Sequence, residues 1–107
     1  MVVPIARRGY VDQKQLALGV ARAVTALAPD VVRIRFNLGE DWVGAPAIFF
    51  RVVLSNSASK RPNLSEVSRR VSHEILREID VEESGLNPYF NFRSLSEQAE
   101  MKEAEWD

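Results

Sequence analysis

Val31-Val32-Arg33-Ile34-Arg35-Phe36-Asn37-Leu38 and Ala47-Ile48-Phe49-Phe50-Arg51-Val52-Val53-Leu54 are the two stretches whose reading decides the fold. In both, the even positions are apolar: Val32, Ile34, Phe36 and Leu38 in the first, Ile48, Phe50, Val52 and Leu54 in the second. The odd positions carry Arg33, Arg35 and Asn37, then Ala47, Phe49, Arg51 and Val53. A period of two is a β-strand with one face buried and the other lacking a second apolar layer. The loop between them, Gly39 to Pro46, holds glycine near both ends. Proline has no amide to donate, so Pro46 belongs at the start of the second strand or on an edge. The loop reads as a surface turn, with Trp42 folded back on the domain edge.

Upstream, Asp12 is a good helix N-cap, with Gln15 three residues on as capping-box partner and Val11 and Leu16 as a hydrophobic staple. Leu16, Val20, Ala23, Val24 and Leu27 then share one helical face. Gly19 lets that helix sit close to the sheet, and Pro29-Asp30 ends it. Downstream, Asn63 and Glu66 form a second capping box before a helix that buries Leu64, Val67, Val71, Ile75 and Ile79. Glu66, Arg69, Arg70, His73, Glu74 and Arg77 make its solvated face, with Glu66–Arg70 and Arg70–Glu74 spaced as i,i+4 pairs. Glu82–Gly85 is a turn, and Pro88–Arg93 is a short strand with Phe90 and Phe92 inward and Tyr89, Asn91 and Arg93 outward. Ser96 caps a final helix.

The expected order is αββαβ, or βαββαβ if Val2–Ala6 adds a leading strand despite Pro4. That is an α+β two-layer sandwich of the ferredoxin-like kind, with an antiparallel sheet and both helices on the apolar face. Residues 1–94 form the single domain and residues 95–107 an acidic C-terminal tail or helix. The chain of 107 residues has 46% apolar and 27% charged residues, as one soluble domain does. Its net charge of −1 favours neither a nucleic-acid partner nor an acidic-tail role. The absence of cysteine excludes disulfides, thiolate metal sites and thiol catalysis. No apolar run has the length of a membrane span, and the amino-terminal order of apolar and basic residues is not that of a signal peptide. A cytoplasmic location is expected.

The candidate site is the face the strands leave open: Arg33, Arg35, Asn37, Phe49, Arg51, Tyr89, Asn91 and Arg93. Arginines with aromatic rings anchor protein interfaces, and they also stack bases and meet phosphates in single-stranded RNA. The aromatic-glycine signature strand of an RNA recognition motif is absent, as is the GxxG loop of a KH domain. The tail competes for the same face. Residues 95–107 hold five acidic residues against one lysine, a net of −4, which leaves +3 on the rest. Trp106 near its end gives the tail an apolar anchor.

His73, the only histidine, sits among ordinary helix neighbours, and Ser57-Ala58-Ser59-Lys60 lies in a loop without partner motifs. Glu40 and Asp41 are too few ligands for a metal. The reading is a non-enzymatic module without cofactor, metal or catalytic residues. It binds a protein partner, or a second copy as a dimer, through Arg33, Arg35, Phe49, Arg51, Tyr89, Asn91 and Arg93, with Trp106 alongside. The alternative is a single-stranded RNA-binding domain using the same face.

Overall fold

A computed structural model describes residues 12–107. Helix α1 spans Gln13–Leu27, strand β1 Val31–Glu40, strand β2 Pro46–Leu54 and helix α2 Arg61–Glu78. A single helical turn, α3, covers Val81–Ser84. Strand β3 (Asn87–Ser94), helix α4 (Leu95–Met101) and a 3-10 turn at Ala104–Trp106 complete the chain. The strand expected at Val2–Ala6, and Val11 of the expected staple, lie outside the described residues.

The α+β class holds, but the sheet is mixed rather than antiparallel. Its order is β1-β2-β3, with β1 and β2 antiparallel and β2 and β3 parallel. The ferredoxin-like arrangement is not reproduced among the described residues. A tight loop suffices to join β1 and β2, whereas parallel neighbours need a crossover of a dozen residues or more. Here α2 and α3 supply that crossover, and β3 returns directly beside β2.

Each helix begins where backbone chemistry permits. Asp12 accepts from the amides of Lys14 and Gln15, so α1 is capped by one side chain, from the position expected. Helix α2 instead starts two residues before Asn63. Lys60 is its N-cap and Pro62 lies in the first turn, where a fixed φ and a missing donor are tolerated. Asn63 donates to the carbonyl of Ser57 rather than capping. Leu64 is consequently on the rim, at 38% exposure, while Val67, Val71, Ile75 and Ile79 face the core. The expected i,i+4 pairs on α2 give way to Arg70–Asp30 and Arg77–Glu74.

The core lies between the helices and the even-numbered face of the sheet. Its cross-strand rows are Ile34–Val52–Phe92, Phe36–Phe50–Phe90 and Leu38–Ile48–Pro88. Phe50, at the centre, is fully buried and stacks on Phe90 with ring centroids 5.1 Å apart. Phe36, at the β1 edge, is only half-buried. Val32 departs from the alternation. A bulge between Val31 and Arg33 lets Val31 pair with Leu54 and Arg33 with Val53. Val31 takes the core position and Val32 is turned outward, since an extra residue reverses the side-chain alternation. Gly19 is a close approach, but to the end of α2 rather than to the sheet. A Cβ there would lie 3.0 Å from Ile79 Cγ1 and 3.1 Å from the Glu78 carbonyl oxygen.

Candidate binding face

The odd-numbered face of the sheet is built in rows. From one end these are Arg33–Val53–Arg93, Arg35–Arg51–Asn91, Asn37–Phe49–Tyr89 and Gly39–Ala47–Asn87. Strand pairing alone thus brings the predicted residues of three strands together on one surface. The rows divide into a basic half and an aromatic half.

The basic half is covered by the chain's own carboxyl-terminal segment. Helix α4 follows β3 without a linker. Ser94, not Ser96, caps it: the Ser94 hydroxyl accepts from the Glu97 amide, and the Glu97 carboxylate accepts from the Ser94 amide at 2.7 Å. The Ser94 amide and hydroxyl, opposed only by slight burial and aided by Arg93, hold the Glu97 carboxyl below its usual range. Ser96 instead bonds Asn56 through both its amide and its hydroxyl. The chain reverses at Lys102, with φ 55°, and the 3-10 turn comes back over β1 and β2.

Trp106 is only 8% exposed there. The Arg93 guanidinium carbon lies 4.1 Å from the centroid of its indole, a cation–π contact. Arg93 also meets the Glu103 carboxylate at 2.8 Å and the Gln98 Oε1 at 2.8 Å. Arg33 donates to the backbone oxygen of Trp106 at 2.8 Å and lies 3.6 Å from the Asp107 carboxylate. Arg35 donates to the backbone oxygen of Asp107. Val53, central in this row, is fully buried.

Among the described residues no segment covers the aromatic half, where Trp42 is exposed and Phe49 and Tyr89 are half-buried. Phe49 and Tyr89 stack at 5.4 Å with their planes 20° apart, and Trp42 meets Tyr89 edge-on at 5.4 Å. Trp42 is 82% exposed, so it stands out from the edge of the domain rather than folding back onto it. Arg51 donates to Asn37, and it makes no ion pair among the described residues. Asn91 is exposed beside it.

Asp41 fixes this half, a role the sequence reading did not assign. One carboxylate oxygen accepts from the amides of Val43 and Ala45, closing the hairpin loop. The other accepts from the Tyr89 hydroxyl at 2.8 Å and from Asn87. The Ala45 amide first, then the Tyr89 hydroxyl, keep the Asp41 carboxyl below its usual range. The same hydrogen bond, with slight desolvation, raises the Tyr89 phenol. The signal was available locally, since Asp41-Trp42-Val43-Gly44 is a turn-forming pattern.

Gln98 was missed for a different reason. It is 3% exposed and joins Arg93, the Glu103 carbonyl and the Asp107 carboxylate. Nothing near it in sequence announces that role. Among the described residues no cluster of three or more histidines or carboxylates could hold a metal. His73 lies exposed on α2, away from this face. Compared with protein-family models, curated proteins and solved structures, the chain finds no match in any of the three.

Proposed function

We propose that this chain is a non-enzymatic binding module that engages another protein chain through the aromatic half of its sheet face. The observation that carries this reading is the Trp42–Tyr89–Phe49 cluster beside Arg51, which no segment covers among the described residues. Tryptophan, tyrosine and arginine are the residues that dominate protein interfaces, because each buries a large, rigid surface with a polar group at its rim. The Asp41 hydrogen bond holds the Tyr89 ring in place, which lowers the entropy lost on binding.

The RNA reading is weaker on this geometry. It needs several free guanidinium groups, and Arg33, Arg35 and Arg93 are engaged by the carboxyl-terminal segment. Among the described residues, Arg51 is the one arginine of the face that this segment does not engage.

Light scattering on the full chain over a range of concentrations tests self-association, and crosslinking from a photoreactive residue placed at Asn91 tests capture of a different protein. The expected result is one protein contact, a second copy or a single distinct chain, that is lost in Trp42→Ala and in Arg51→Ala. Binding of a single-stranded RNA pool that falls steeply with salt and depends on Arg51 would overturn the reading in favour of RNA. No crosslink and no mass increase would also overturn it.

A further inference from the structure

The site that holds residues 103–107 contacts both their backbone and their side chains. Arg33 and Arg35 donate to the backbone oxygens of Trp106 and Asp107, and Gln98 donates to the backbone oxygen of Glu103. Any peptide following the same path presents those oxygens. Among the described residues, three side chains of the segment are recognised as well. The Trp106 indole lies under the Arg93 guanidinium, the Glu103 carboxylate pairs with Arg93, and the Asp107 carboxylate meets Arg33 and Gln98. Ala104 and Glu105 are exposed. The pattern read is therefore acidic-x-x-Trp-acidic.

The tether of this segment is a single bend. Lys102 holds φ 55°, a region that favours glycine, so the bend itself adds nothing to docking. Helix α4 has anchors of its own, the Ser94–Glu97 capping box and the Ser96–Asn56 hydrogen bonds. Residues 103–107 can thus leave the face while α4 stays.

We propose that the Arg33–Val53–Arg93 row is a recognition site for an acidic segment of a partner protein with this tryptophan-bearing pattern, and that residues 103–107 are the resident segment such a partner displaces. Charge complementarity favours this occupant: two arginines and a buried valine face an indole flanked by carboxylates. A segment tethered this closely has an effective concentration on the order of millimolar, so it sets the affinity a partner must exceed. The site is the other half of the face from the aromatic row and does not depend on what binds there.

The probe is a fluorescein-labelled peptide of sequence Glu-Met-Lys-Glu-Ala-Glu-Trp-Asp, titrated with the full chain and read by anisotropy. Wild type should bind it weakly. Trp106→Ala should bind at least tenfold tighter, because its own anchor is gone. Adding Arg93→Gln should cancel that gain, and alanine in place of the peptide's tryptophan should abolish binding. Trp42→Ala should leave the affinity unchanged, which separates this site from the aromatic half. If Trp106→Ala loses its circular-dichroism signature of folding, the Glu103→Gln/Asp107→Asn variant decides instead, with an expected gain of several-fold. The proposal is overturned if the folded variants bind no better than wild type, if Arg93→Gln changes nothing, or if Trp42→Ala removes binding. A wild-type dimer that disappears in Trp106→Ala would also overturn it, in favour of exchange of this segment between copies.

Discussion

Arg93 lays its guanidinium over the indole of Trp106 while its other nitrogens reach Gln98 and Glu103. One side chain from the edge strand thereby fastens the carboxyl-terminal segment to the sheet. The ion pairs in this contact are partly exposed and individually worth about 0–1 kcal/mol. The cation–π contact adds about 0.5–2 kcal/mol, and the burial of the indole supplies the rest.

In Trp42→Phe, Trp106 is the sole tryptophan. Its emission should be blue-shifted and protected from acrylamide, and adding Arg93→Ala should move it toward that of hydrated indole. Fully hydrated emission in Trp42→Phe alone would mean that the segment does not rest on the sheet in solution.

Phe50→Ala should cost about 3–5 kcal/mol in urea denaturation, since the ring is fully buried and stacked on Phe90. Arg35→Ala should cost within about 1 kcal/mol, because Arg35 is exposed and contributes a hydrogen bond to the backbone oxygen of Asp107. Equal losses would contradict the assignment of the two sheet faces.

Gly19→Ala gains about 1 kcal/mol of helix propensity in α1. The added methyl, however, meets the Glu78 carbonyl at 3.1 Å, a backbone atom that moves only with the end of α2. The two terms oppose, and the expected outcome is a net loss of about 1 kcal/mol, as is usual for overpacking. A rise in the denaturation midpoint would show that α2 yields freely.

The Asp41–Tyr89 link requires an ionised carboxyl and a protonated phenol. Asp41 is depressed, so its contribution is complete above the ordinary aspartate pKa and is lost as pH falls through the lower folded value. Tyr89 is raised, so its contribution is complete below the ordinary tyrosine pKa and is lost as pH rises through the higher folded value. Between those limits the hairpin should be insensitive to pH. Ultraviolet titration, taken as the difference between wild type and Tyr89→Phe, should show a phenol above the usual range, and Asp41→Asn should bring it down. An unshifted phenol in wild type would contradict the link.

Much of the face was legible in the sequence, because strand alternation is a local property. Arg33, Arg35 and Arg51 on one side and Ile34, Phe50 and Val52 on the other follow from a side-chain period of two, whatever the strands pair with. Asp12 as a cap and the inward pair Phe90 and Phe92 are equally local. The exchange of Val32 for Val31 was not, because a bulge is set by pairing with β2. The parallel placement of β3 was not, because the pattern of a strand is the same in either direction.

The division of the face was beyond the sequence as well. Its acidic residues and Trp106 gave the tail a reason to dock, but the contacts of Arg93 and Gln98 with residues 103–107 exist only once α4 turns the chain back at Lys102. Alternation and capping act between neighbours in the chain, so the sequence alone determined the strands, their two faces and the chemistry each face carries. Strand order, the bulge, and which half of the open face is covered arise between residues distant in the chain, so only the tertiary structure decided them.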